Sequence, residues 1–170
     1  ARSFDDRSGC MALLLALMGI DPSTVTKRIT FAWVVEEEIG LIGARELAAR
    51  TEADFVFAVD TFVSSDSPRE DPWFADTPIG DGFVIRALDT SSVTPTEFVD
   101  RVIGIARGHN IPVQVGTTNG GKDGSAFTPY GTVDIPIGWP LRYSHSPVEV
   151  IAQSDLDALA AVIRHLVAEF

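Results

Sequence analysis

The sequence predicts an α/β protein with three layers, α/β/α, in which helices cover both faces of a mostly parallel central sheet. Short β-branched and aromatic runs alternate with helical patterns along the 170 residues, and this alternation is typical of parallel sheets. Hydrophobic residues make up 45% of the chain, which suits a single domain with a substantial core. No apolar segment of the sequence approaches the roughly 20 residues that cross a bilayer, so we expect no membrane partner.

Each predicted element has a local signal. An apolar run predicts a buried first helix from Ser8 to Gly19, which the turn-forming residues of Asp21-Pro22-Ser23 close. The β-branched and aromatic run from Arg28 to Val35 predicts a buried central strand. The later elements, in order, are a helix at 41–50, strands at 54–59 and 83–88, an amphipathic helix at 95–107, strands at 112–115 and 133–137, and a helix that Ser154 begins. The segment 61–82 is rich in Ser, Asp, Pro and Gly and predicts a long loop.

Charge and cysteine content exclude some classes of function. The formal net charge is −11, so binding to a phosphate backbone is disfavoured and we expect no nucleic-acid partner. Cys10 is the single cysteine, which rules out a disulfide within the chain and favours a cytoplasmic location.

The most informative feature is the run Glu36-Glu37-Glu38, which follows the predicted strand and precedes Ile39-Gly40. Adjacent like charges beside a core repel each other and resist desolvation unless a cation or a proton compensates them. In α/β proteins, binding and catalytic residues lie at the carboxyl ends of strands. One of these glutamates could bind a metal ion while its neighbour serves as a general base.

Other candidate ligands lie at or beside predicted strand ends. These are Asp5-Asp6, Asp60 and His145, and with a glutamate they form an oxygen and nitrogen set that suits Zn²⁺, Mn²⁺ or Co²⁺. Alone, Asp60 is equally typical of a turn, and a single loop histidine is a weak signal. Other polar residues receive a structural interpretation: Asp66, Asp89 and Asp123 as turn or helix caps, and His109 and His165 as helix residues without an acidic cluster nearby in the sequence.

Five motifs in a fixed order resemble those of the TET-type metallo-aminopeptidases, di-metal exopeptidases related to the glutamyl and leucyl aminopeptidases. They are Asp5-Asp6-Arg7 preceded by Arg2-Ser3-Phe4, EEEIGLIGA at 36–44, AVDT at 58–61, NGGKDG at 119–124 and RYSHSP at 142–147. Each motif is weak alone, but their order and spacing make the resemblance specific from residue 2 to about residue 152.

The resemblance implies a role for each matching position. Asp5 would bridge two divalent metal ions, zinc first and cobalt or manganese as alternatives. Glu38 and His145 would complete the first site, and Asp60 would bind the second ion. Glu37 would be the general base that acts on water activated by the di-metal centre. Peptides would be the substrates, and relatives form large homo-oligomers.

The sequence also departs from the family pattern. The family has a further ligand in a His-x-Asp pair before an inserted dimerisation domain, and neither is present here. We therefore expect residues 1–170 to form one portion of a zinc-exopeptidase catalytic domain, without the N-terminal segment and the inserted domain. Glu36 has no counterpart in the motif, and Lys122 replaces a threonine, which predicts a changed substrate pocket.

The leading hypothesis is therefore a metal-dependent aminopeptidase that removes N-terminal residues from peptides. One alternative is a metal-binding fragment that is catalytically incomplete. Another is a glycoside hydrolase, since paired carboxylates also serve that reaction. Glu37 and Glu38 suit it poorly, because adjacent strand residues point to opposite faces and could not flank one bond.

Overall fold

In the computed structural model, which describes residues 1–68 and 76–170, helices and strands alternate as predicted. The helices are α1 (Phe4–Met18), α2 (Ile42–Ala48), α3 (Thr96–Gly108) and α4 (Gln153–Glu169). The strands are β1 (Phe55–Val56), β2 (Val59–Val63), β3 (Phe83–Leu88), β4 (Val113–Thr117), β5 (Val133–Asp134) and β6 (Ile137–Leu141).

The central sheet has the order β2-β6-β3-β4. β2 pairs with β6 and β3 with β4 in parallel, whereas β6 and β3 are antiparallel. β1 and β5 form a short parallel pair that leads into the same sheet, because the Ile135 amide donates to the Val56 carbonyl and the Ile137 amide to the Ala58 carbonyl. The prediction of a mostly parallel sheet is confirmed.

Helices pack on both faces of this sheet. The main core lies between the sheet and α1, α3 and α4, and it includes the fully buried Trp139. A smaller cluster on the other face joins α2 to Phe127. Phe55 packs against the main core and its neighbour Val56 against the smaller cluster, as the alternation of side chains along a strand requires. The three-layer prediction is confirmed.

The predicted central strand at 28–35 is wrong in this structure. The segment has no regular secondary structure and belongs to neither sheet of the described residues, and it exposes 40% of Ile29, 44% of Trp33 and 68% of Val35. A strand exists only where a neighbour supplies the other half of its hydrogen bonds. The apolar pattern predicted burial, but it could not show whether such a neighbour is present.

Three smaller expectations also need correction. Asp60 does not end a strand, because β2 continues through Val63. Ser154 is not the N-cap of α4, which begins at Gln153. The first helix is only partly buried, with Ala12 and Ala16 in the core while Cys10, Met11 and Leu14 are exposed. Part of the loop predicted at 61–82 lies outside the described residues.

Within residues 1–68 and 76–170, the helices are too short or too polar to cross a membrane.

Candidate metal centre

Three of the predicted ligands lie together. His145 Nε2 is 3.3 Å from Asp5 Oδ2 and 3.2 Å from Glu38 Oε2, and one ligand atom of each residue lies within 4.8 Å of the others. Asp5 lies at the non-helical start of α1, Glu38 in the turn before α2, and His145 in the loop after β6. Folding therefore unites three segments that are more than 30 residues apart in the sequence.

A tight turn presents the glutamate run. The amides of Gly40 and Leu41 both donate to the Glu37 carbonyl, at 3.1 and 2.9 Å, and the Ile42 amide donates to the Glu36 carbonyl. Gly40 has φ 123°, a conformation that side chains oppose, so glycine suits this position. The turn leaves Glu36 exposed and Glu37 half-buried, so the two adjacent glutamates have different surroundings.

Burial and mutual repulsion disturb the carboxyl groups near the cluster. Burial, and then the charges of Asp60 and Asp123, raise the pKa of Glu37 to about 7. Burial, Asp60 and Asp5 raise the pKa of Asp6 to about 9. Burial and Glu38 raise the pKa of Asp5, although His145 opposes this. These carboxyl groups are crowded enough to hold protons, which a metal cation would displace.

Asp60 lies outside the three-residue cluster, but its charge raises the pKa values of Asp6 and Glu37 nearby. Its carboxylate accepts the Thr61 amide at 2.6 Å and lies 3.5 Å from Arg86 Nη1. Burial raises the pKa of Asp60 to about 6, while Arg86 lowers it and Asp5 raises it. The structure thus brings Asp5, Glu38 and His145 together and leaves Asp60 held by a guanidinium.

Lys122 does not line a pocket, contrary to the expectation from the sequence. Its side chain is fully buried, with Nζ 2.7 Å from Asp89 Oδ2 and 2.9 Å from Asp134 Oδ2, and it donates to the hydroxyls of Ser91 and Ser92. Burial alone would raise the pKa of Asp89, but hydrogen bonds from Lys122 and Ser91 outweigh it and lower that pKa. Asp89 also accepts the amides of Ser91 and Ser92, so its predicted turn role is confirmed.

Arg86 connects Asp89 to Asp60, and it was not among the residues predicted from the sequence. Its Nε lies 3.0 Å from Asp89 Oδ2, and its Nη2 donates to the carbonyls of Asn119 and Gly121 at 2.9 and 3.3 Å. The signal was a charged residue inside the otherwise apolar strand β3. Such a residue, 6% exposed, needs partners, and those partners come from three other parts of the chain.

Two further aspartates have distinct positions. Asp66 forms an ion pair with Arg142, three residues before His145, and so fixes the segment that leads to that ligand. Asp123 begins a 3₁₀ turn, as its structural interpretation predicted, but its charge also raises the pKa of Glu37. One buried carboxylate oxygen of Asp123, and one of Asp6, accepts no hydrogen bond.

The residues present fit a divalent cation. Asp5, Glu38 and His145 supply oxygen and nitrogen donors, the set that zinc-class ions accept. In the described part of the chain, Asp5 and Glu38 form ion-pair contacts with His145, and Asp60 forms one with Arg86.

Comparisons with known proteins identify the family. The family described as M42 glutamyl aminopeptidase matches residues 1–162. A protein of Acetivibrio thermocellus named "Putative aminopeptidase" is 30% identical over 164 residues, which are 92% of this chain and 47% of that protein. The chain thus spans about half the length of the curated relatives it matches.

Solved structures share the fold. One is described as the Pyrococcus horikoshii TET1 peptidase, which can assemble into a tetrahedron or a large octahedral shell. It is 34% identical with a TM-score of 0.92, over 100% of this chain and 50% of that one. Another, from Thermotoga maritima, is described as an endoglucanase and is 27% identical with a TM-score of 0.77, over 99% of this chain and 49% of that one.

Proposed function

This chain belongs to the M42 glutamyl aminopeptidase family, and we propose that it carries the general base and metal-binding side chains of a metal-dependent aminopeptidase. The observation that carries the proposal is the convergence of Asp5, Glu38 and His145 in the same electrostatic region as Glu37, a carboxyl group with a pKa of about 7. A ligand set and an adjacent base of that pKa are the two parts that hydrolysis assisted by a metal requires.

The proposed roles follow from the surroundings of each side chain. Asp5, Glu38 and His145 hold one ion, zinc or a similar divalent metal, and Asp5 with Asp60 contributes to a second position. When bound, the ions supply Lewis acidity, which makes water easier to deprotonate and polarises a carbonyl group. Arg86 contacts the Asp60 carboxylate, and its positive charge offsets part of the negative charge at the second position.

Glu37 is the proposed general base. Its half-buried carboxylate accepts the proton of the attacking water and then gives it to the leaving amine of the peptide. Glu38 lies beside it with 56% of its side chain exposed and is free to bind metal. The different surroundings of these neighbours support their different roles.

The substrates we propose are peptides with a free N-terminus, and the proposed assembly is a homo-oligomer. The substrate class follows from the family, and the assembly from the Pyrococcus horikoshii relative. The second metal position has fewer donors among the described residues than the first, so we expect this chain alone to bind one ion more tightly than the other.

A pair of adjacent variants tests the role of Glu37. We expect Glu37→Gln to bind zinc with unchanged affinity and to lose at least about 100-fold in the rate of hydrolysis of aminoacyl p-nitroanilides, because a positioned base contributes that much. Glu36→Gln, one residue away and exposed, is the matched control and should retain the rate. Normal turnover by Glu37→Gln would refute the assignment.

The description of one relative as an endoglucanase makes a glycosidase the second candidate. A pair of carboxylates that hydrolyses glycosidic bonds needs no metal ion. Chelation with EDTA should therefore abolish peptide hydrolysis if the proposal holds. Hydrolysis of a β-glucan that survives EDTA would support the glycosidase instead.

A further inference from the structure

A second group of potential metal ligands lies where α3 and α4 end. His109 caps the C-terminus of α3, and His165 and Glu169 lie four residues apart in the last turns of α4. One ligand atom of each lies within 4.8 Å of the others. The group shares no residue with the candidate metal centre, and the proposed aminopeptidase reaction does not use it.

The two imidazoles converge on one carboxylate oxygen. His109 Nε2 is 2.6 Å and His165 Nδ1 is 3.3 Å from Glu169 Oε1. The rings stack with their centroids 3.5 Å apart and their planes inclined by 17°. Two nitrogens and one oxygen, from the ends of two different helices, therefore lie close together.

The electrostatic environment favours a cation at this point. The carbonyl groups at the C-termini of α3 and α4 carry partial negative charge, which attracts positive charge. The Arg101 guanidinium also lies at this end of α4, but it donates to the main-chain carbonyls of Glu169 and Phe170 and lies over the Phe170 ring. The Glu169 carboxylate remains directed at the histidines.

We propose that His109, His165 and Glu169 form a second site for a zinc-class divalent ion, with water completing the coordination. A tetrahedral ion with bonds of about 2.0–2.1 Å separates its ligands by roughly 3.3 Å. The three side chains are 36%, 34% and 43% exposed, so small rotations can reach that spacing without movement of the helices. The bound ion would fasten the end of α4 to the end of α3.

Sequence reasoning missed this group because His109 and Glu169 are 60 residues apart. The spacing of His165 and Glu169 places them on one face of a helix, but a single such pair is common on exposed helices. Only the packing of α3 against α4 brings in the third ligand.

Zinc titration of the chain, followed through the imidazole ¹H–¹⁵N signals, tests the proposal. The background is His145→Gln, which removes the histidine of the candidate metal centre and leaves His109 and His165 as the only imidazoles. We expect zinc to shift both signals at one equivalent, with a dissociation constant below about 10 μM. Absence of a shift at millimolar zinc would overturn the proposal, and so would binding only at millimolar zinc.

Further variants separate specific binding from general surface binding. In the same background, Glu169→Gln should weaken the zinc affinity at least about 10-fold, whereas Glu97→Gln, at an exposed position in α3, should not. Equal affinities in these two variants would refute the three-ligand site. If Glu169→Gln failed to fold, His165→Gln would serve, with the His109 signal as the readout and the same expected weakening.

Discussion

Two groups of buried or half-buried carboxylates differ in how their negative charge is compensated. Asp89 and Asp134 surround the buried ammonium of Lys122, and Asp89 also contacts Arg86. Asp5, Asp6 and Glu37 have no lysine or arginine within ion-pair distance in the described part of the chain. The first cluster carries its own cations, whereas the pKa values of the second show that its carboxyl groups hold protons more readily.

The pKa directions follow this difference. Lys122 helps to lower the pKa of Asp89, although burial still raises the pKa of Asp134. In the other cluster, burial and repulsion raise the pKa of Glu37 to about 7 and of Asp6 to about 9. Similar acidic clusters can therefore differ in whether the protein itself supplies the neutralising cation.

The largest expected effect comes from removing the ammonium group of Lys122, which lies between Asp89 and Asp134. Lys122→Met leaves Asp89 and Asp134 buried without their ammonium, and loss of one partner of a buried ion pair costs about 3–5 kcal/mol. Urea denaturation should show this loss in the free energy of unfolding. Lys27→Met, at the exposed lysine, is the control and should change it by less than about 0.5 kcal/mol. A loss of less than about 1 kcal/mol in the free energy of unfolding for Lys122→Met would mean that stability does not depend on this buried ammonium.

Loss of a ligand from the candidate metal centre should mainly affect metal binding. His145→Asn is expected to weaken zinc affinity at the candidate metal centre at least about 10-fold, with little change in stability because His145 is 68% exposed. Competition with a chelator measures the affinity. His165→Asn should leave this centre intact, and equal weakening by both variants would contradict the separation of the two sites.

The pH dependence of stability offers a third test. In the metal-free protein the pKa values of Asp60, Glu37 and Asp6 are raised to about 6, 7 and 9, so the unfolded chain loses these protons first as pH rises above about 4. The free energy of unfolding should then fall between pH 5 and 8, and bound metal should offset the fall. We expect the difference in Tm between metal-loaded and metal-free protein to widen by about 5 °C over this range. A constant difference would contradict the proposed repulsion.

The smallest effect is expected from an ion pair that solvent screens. Hydrogen bonds from Arg142 lower the pKa of Asp66, so its stabilisation is present above about pH 4 and is lost as pH falls through the lowered pKa. Asp66→Asn should cost about 0.5–1 kcal/mol at pH 7 and progressively less as the pH falls through the lowered pKa of Asp66. Asp100→Asn, at an exposed position, is the control, and an equal cost for both variants would show that the pair contributes nothing.

The sequence predicted local features better than features that depend on distant partners. The bounds of β3, Phe83–Leu88, were predicted as the structure has them, because an apolar run between turn residues is a local signal. The meeting of Asp5, Glu38 and His145 was expected from the motifs. The segment 28–35 was predicted wrongly because strand pairing depends on a neighbour, which an apolar pattern cannot supply.

Buried charges were the hardest features to predict. Arg86 and Lys122 obtain their partners from residues that are distant in the sequence, and nothing local to Lys122 indicated that its ammonium is fully buried. The same reason explains why His109 and Glu169 were not connected. In each case the tertiary packing determines the role of a charged side chain, and the residue type alone does not.

Anomalous diffraction from crystals grown with zinc, recorded above and below the zinc absorption edge, tests the central claim most directly. The account predicts an anomalous peak within about 2.0–2.2 Å of side-chain atoms of Asp5, Glu38 and His145. At saturating zinc, the absence of a peak within about 4 Å of these three side chains would contradict it.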